Sequence, residues 1–193
     1  MKKGSAIIIV LAIVAVLVLW GVKVYNGLVT KDEAVSSAWS QVENVYQRRA
    51  DLIPNLVATV KGYAEHEKST YEAVVEARAK ASQITVNDLS EESVKKFQEA
   101  QSEVSSALGR LLAIVENYPE LKANENFLDL QAQLEGTENR IAEARRAFNE
   151  TARDYNTTVR SFPANIIAGI FGFSTKGYFT ADESAMQAPK VEF

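Results

Sequence analysis

The chain has no cysteine and a single histidine among its 193 residues. Without cysteine there is no disulfide, no thiolate metal site and no thiol nucleophile. One histidine, His66, cannot supply the paired histidines of a zinc-protease helix, and Thr70 stands where the second would fall. Nor can it supply the two Glu-x-x-His motifs of a di-iron bundle; the residue three before it is Tyr63. Ser36, Ser37, Ser105 and Ser106 have no general base other than that histidine, which argues against a Ser-His-Asp triad. The short run Gly169-Ile170-Phe171-Gly172 lacks the lysine and the spacing of a phosphate-cradling loop. Carboxylates are plentiful, but their helical spacing reads as a solvated face rather than acid/base machinery. The sequence therefore predicts no catalytic residue, no cofactor and no metal.

Positive charge is also scarce where it would matter for nucleic acid. Lys2, Lys3 and Lys23 flank an apolar run, and beyond Lys23 there are 18 basic against 25 acidic residues. An acidic body lacks the basic footprint that phosphate binding requires, so no nucleic-acid partner is expected.

What the chain does have is an uncharged run over residues 4–22, GSAIIIVLAIVAVLVLWGV. As a helix it spans roughly 29 Å, close to the ~30 Å hydrocarbon core of a bilayer. A cleaved signal peptide would have a shorter apolar centre of about 7–15 residues and small residues at its end. Here Trp20, Lys23 and Tyr25 close the run instead, as an interfacial belt does. The run predicts a retained single-pass anchor in a membrane. Lys2, Lys3 and the terminal amine on one side, against Lys23 and Lys31 on the other, place the body outside the cytoplasm.

Beyond the anchor, apolar residues recur at alternating spacings of three and four in three stretches. The first runs from Val35 to Tyr63, the second from Val94 to Tyr118, and the third from Phe127 to Phe162 with a phase shift near Phe148. Residues 83–90 read as a turn, Ser90-Glu91-Glu92-Ser93 starts the second helix with acidic residues in its first turn, and Asn117-Tyr118-Pro119 ends it. Pro54 lies inside the first helix without a turn cluster, so a kinked continuous helix is expected there. The fold class is thus all-α: an N-terminal transmembrane helix, an antiparallel bundle of three long helices, and a short apolar C-terminal segment. The corresponding divisions are residues 1–25 (anchor), 26–162 (bundle) and 163–193 (cap).

Helix lengths then raise a problem. The first helix, about 26–83, spans roughly 87 Å, and the second, about 91–118, roughly 42 Å. The second would fold back along only the distal half of the first and the third would run outward again, leaving Val35, Trp39, Val42 and Tyr46 as an apolar stripe near the membrane. That stripe predicts a contact between chains of a homo-oligomer, or a C-terminal segment that folds back over it.

Arg49 falls on the same seam between Tyr46 and Ile53. A charge there snorkels, or pairs with a carboxylate on a neighbouring helix and sets register; an anion or partner site is the sharper alternative. Asn149 and Asn156 each head an N-x-[ST] triplet, read as chance inside a helix rather than as glycosylation. After Pro163, Ile166, Ile167, Ile170 and Phe171 make an amphipathic turn that caps or packs along the bundle. A subunit contact or a shallow membrane dip are its alternatives.

Several words in this sequence stand out: Tyr25-Asn26-Gly27-Leu28-Val29, Ala38-Trp39-Ser40-Gln41-Val42-Glu43-Asn44 and above all the block from Arg48-Arg49-Ala50-Asp51 through Leu52-Ile53-Pro54-Asn55-Leu56-Val57. Glu116-Asn117-Tyr118-Pro119, Tyr155-Asn156, Tyr178-Phe179 and the closing Pro189-Lys190-Val191-Glu192-Phe193 extend the set over nearly the whole chain. Together these words resemble the LemA family. The resemblance implies a bacterial membrane protein with one N-terminal span, a three- or four-helix bundle and no enzymatic activity. One relative takes part in forming magnetosome membranes, which implies a scaffold in membrane or envelope organisation. Neighbouring envelope-protease genes imply the alternative, an adaptor that delivers clients to a membrane protease partner.

Overall fold

The computed structural model describes residues 3–180, with side chains from Ile7 onward. Lys2 and the closing words from Pro189 to Phe193 lie outside the described residues, as does the rest of the C-terminal segment beyond Thr180. Within them there are six helices and no strand: α1 (Lys3–Tyr63), α2 (Lys68–Ser82), α3 (Glu91–Val115), α4 (Pro119–Lys122), α5 (Glu125–Arg160) and α6 (Ala164–Phe171).

Local chemistry explains most of the boundaries. Ser90 caps α3 by accepting from the Ser93 amide, and Glu91 and Glu92 fill the first turn. Asp88 accepts from the Ser93 and Ser90 hydroxyls, which hold its carboxyl below the usual range. Pro119 opens α4, where its missing amide donor costs nothing. Asn124 caps α5 through the Phe127 amide at 3.0 Å. Gly172, at φ 76°, closes α6 in the left-handed conformation that a side chain would resist.

Helix α1 passes through Pro54 without interruption. The break comes later, at residues 64–67, inside the span of about 26–83 expected as one helix. Gly62 weakens the last turn, and Ala64 is buried at the bend while Glu65 and His66 face solvent. Helix α2 therefore turns back along α1, and the Arg78 guanidinium donates to the Ala50 carbonyl at 2.7 Å. This reverses the direction of everything that follows. Helix α3 runs outward, parallel to α1, with Phe97 beside Trp39 and Gln101 beside Arg49. Helix α5 returns toward the anchor, with Asn124 beside Tyr63, Glu138 beside Arg49, Phe148 beside Trp39 and Asp154 paired with Lys31. The bundle of three long helices expected from the sequence is thus four helices, α1, α2, α3 and α5, packed alternately up and down.

The seams are buried largely as spaced. Val35, Val42, Ile53, Leu56 and Val60 on α1 are fully covered, as are Val94, Val104, Leu108 and Leu111 on α3. On α5 the burial follows the phase shift, from Ile141 through Phe148 to Ala152, Tyr155 and Val159. Two apolar clusters result, a distal one under α2 and α4 and a proximal one reaching from Leu28 to Tyr46 on α1. The apolar residues of 7–19 are exposed instead, most of them by half or more. Among the described residues α1 is the one helix long and apolar enough to cross a membrane. An apolar run open on every side has lipid as its natural solvent.

Candidate functional site

The proximal stripe proves to be internal. Val35, Trp39, Val42 and Tyr46 are all buried within a single chain. Their expected role as a contact between chains does not hold in this geometry, because α5 is long enough to reach them. At about 1.5 Å per residue its 36 residues span roughly 54 Å. The folded-back C-terminal segment completes the cover. Phe179 inserts its ring between three helices, stacked on Trp39 at 5.8 Å and edge-on to Phe148 at 5.6 Å and Phe97 at 6.4 Å. The Arg145 guanidinium lies over the outer face of Phe179 at 4.9 Å.

Side-chain amides hold that segment by its backbone. Asn149 donates to the Phe179 carbonyl at 2.7 Å and accepts from the Phe179 amide at 2.9 Å. Asn156 donates to the Lys176 carbonyl and accepts from the Lys176 amide, both at 2.8 Å. Gln98 on α3 treats Thr180 in the same way, at 3.0 Å in each direction. Each amide thus acts as a short piece of partner strand, satisfying a donor and an acceptor that the packed segment could not otherwise pair. Between these points the Gly177 amide donates to the Leu89 carbonyl at 2.7 Å. A Cβ on Gly177 would come within 2.7 Å of the Glu91 Cα, so the approach requires glycine.

A second anchor of the same segment is ionic. Lys176 reaches Asp32 on α1 at 2.7 Å and lies over the Tyr155 ring at 5.4 Å. Burial, and then the charge and hydrogen bond of Asp32, push the Tyr155 phenol up to about 12. It therefore stays neutral across the ordinary pH range. The stability it contributes is complete below its unfolded value near 10 and is lost as pH rises toward 12.

Arg49 sits where the proximal and distal clusters meet and is only 2% exposed. Its guanidinium donates to Ser105 Oγ at 2.8 Å, Glu138 Oε1 at 3.0 Å, and Gln101 Oε1 and carbonyl oxygen at 2.5 and 3.1 Å. Four hydrogen bonds leave little of its five-donor fork for an outside anion. The pairing with a carboxylate of a neighbouring helix is what the geometry supports. His66, by contrast, lies exposed in the turn between α1 and α2. Among the described residues no three of His, Asp and Glu converge as a metal site.

Sequence reasoning missed Asn149, Asn156, Gln98 and Arg145. The two asparagines stand seven residues apart, two helical turns on one face, at the place where the seam changes phase. That spacing was the available signal. If the amides carry the segment, Asn149→Asp with Asn156→Asp removes both donors and sets carboxylates against backbone carbonyls. Hydrogen exchange should then speed up at the amides of Lys176, Phe179 and Thr180, while α3 and the distal part of α5 keep their protection. Unchanged exchange at those three amides would show that the Phe179 ring, Gln98 and the Lys176–Asp32 pair hold the segment without the asparagines.

The sequence pattern of the LemA family matches residues 38–193. The chain is 29% identical over 174 residues to magnetosome protein MamQ of Magnetospirillum gryphiswaldense, an alignment covering 80% of this chain and 64% of that one. It is 28% identical over 174 residues to MamQ 1 of Paramagnetospirillum magneticum, with the same coverage. It is 25% identical over 158 residues to protein LemA of Metamycoplasma hominis, covering 82% of this chain and 69% of the other. The matched region thus spans somewhat under two thirds of the magnetosome relatives, and none of these proteins is named as an enzyme.

Proposed function

Because this chain belongs to the LemA family, we propose that it serves as a membrane-anchored, non-enzymatic helical scaffold in membrane or envelope organisation. The observation that carries this reading is the continuity of α1. One helix of 61 residues holds both the lipid-suited run and the spine of the folded body. Any force or partner acting on the bundle is therefore transmitted to the membrane without a linker. The magnetosome proteins among its relatives support a role at membranes. The exposed position of His66 and the saturated Arg49 support a role without catalysis.

A scaffold must also bring copies together. The stripe from Val35 to Tyr46 is used within the chain, so we place self-association in the exposed aliphatic anchors instead. The proposed bend at Pro54 would lie beside the Arg49 layer and tilt the distal bundle relative to the anchor. Purification in mild detergent, followed by native mass measurement, should give a particle of several copies without a stoichiometric companion. A monomer would refute the assembly. A membrane protease at fixed ratio would favour the adaptor reading.

The proposed orientation, with the body outside the cytoplasm, rests on the basic residues before the run. A cysteine introduced at Ser102 should react with an impermeant maleimide in intact, outer-membrane-permeable cells. Reaction only after lysis of the cell membrane would reverse the assignment.

A further inference from the structure

The end of the chain that returns to the anchor does not stop at the bilayer boundary. Helix α6 packs against α1 at the level of the apolar run. The Ile167 side chain lies 3.7 Å from where a Cβ on Gly21 would stand, and Phe171 meets Tyr25 with ring centroids 4.8 Å apart. The groove between the two helices is lined by Leu17, Val18, Val22, Ile167 and Phe171, among others, and is almost wholly apolar. Leu17 lies five residues inside the end of the uncharged run at Val22, about 7.5 Å along a helix. That is the depth to which interfacial helices bury, roughly 5–10 Å into the headgroup and acyl boundary.

The composition of α6 fits that depth. Residues 161–175 contain no charge and are bracketed by Arg160 and Lys176. On one face Ile167 and Phe171 meet α1, yet on another Ile166 and Ile170 remain 51% and 69% exposed. Phe162, just before the helix, is 81% exposed. A surface helix of a soluble body turns polar residues outward; one that is apolar toward both its neighbour and its surroundings is built for lipid. These exposed side chains continue the lipid-facing surface of the anchor, which gives the patch its occupant.

We propose that α6 is a second membrane element, seated in the acyl region of the same leaflet from which α1 emerges. Acyl chains cover Ile166 and Ile170 and line the groove beside Leu17 and Val18. The bundle is then held at two points rather than one, which fixes its tilt and stops it from swivelling about the anchor. Because α5 leads into α6, the proximal end of the bundle lies directly on the headgroups. The proposal rests on the reading of residues 4–22 as a membrane span.

The absence of cysteine allows a direct test. Full-length protein carrying one nitroxide-labelled cysteine, at Val14, Ile166, Ile170 or Ser102, is reconstituted in palmitoyl-oleoyl phosphatidylcholine vesicles. Both α6 sites are exposed, so the label displaces little packing. Collision with a water-soluble nickel chelate should be several-fold lower at Ile166 and Ile170 than at Ser102, and collision with oxygen higher, approaching Val14. If Ile166 and Ile170 match Ser102 while Val14 remains shielded, the second element is refuted and the anchor stands. If Val14 also reacts as in water, anchor and proposal fall together. Shielding of Ile170 with dipolar broadening that persists on dilution into excess lipid would overturn lipid as the occupant in favour of a second copy.

Discussion

A guanidinium in the middle of a helical bundle survives only if its charge and its donors are met, because stripping it of water costs several kcal/mol. Arg49 meets that condition with acceptors from two other helices, Ser105 and Gln101 on α3 and Glu138 on α5. Tyr46, one turn earlier on α1, offers its ring at 5.0 Å. A one-turn slip of any of these helices would leave the charge buried and unpaired. Apolar layers above and below tolerate such slips far better, since one aliphatic contact substitutes for another. The Arg49 layer therefore fixes the register on which the other contacts depend, from Trp39 over Phe148 to Asn124 beside Tyr63.

Fixed register matters most at the proximal end, where three kinds of interaction converge. The aromatic cluster around Trp39 supplies area, with Phe97, Phe148 and Phe179 each within 6 Å of its ring. Asn149 and Asn156 supply backbone partners for the returning segment, and Asp32 supplies charge for Lys176. Together they tie residues 173–180 to α5 and to α1, the helix that carries the anchor. The body is built as a continuation of the membrane helix rather than as a domain hung from it.

Much of this was legible in the residues. The three–four spacing identified nearly every buried position on α1, α3 and α5, because a side chain's place on a helix follows from its number alone. Pro119 and the Ser90 cap marked their boundaries for equally local reasons. The turn at residues 64–67 was not legible. Glu65-His66-Glu67-Lys68 looks the same whether it is a bend or a solvated helical face, and no proline or asparagine marks it. Missing that turn inverted α3 and α5 and left the Val35–Tyr46 stripe without its true cover. The asparagine clamp was hidden for a different reason: its partners lie 20 and 30 residues further along, and nothing local announces them.

The central claim, that Arg49 is a structural cation whose pairing sets the bundle, is tested most directly at its carboxylate partner. Unfolding free energies of full-length protein in mild detergent should be compared for Glu138→Ala and for Arg49→Met with Glu138→Met. Glu138 is 42% exposed, so its loss should cost about 2–3 kcal/mol rather than the ~3–5 of a fully buried pair. The double replacement, which removes the buried charge along with its partner, should recover most of that cost. A Glu138→Ala protein within about 0.5 kcal/mol of the wild type, as for an ordinary surface change, would contradict the account.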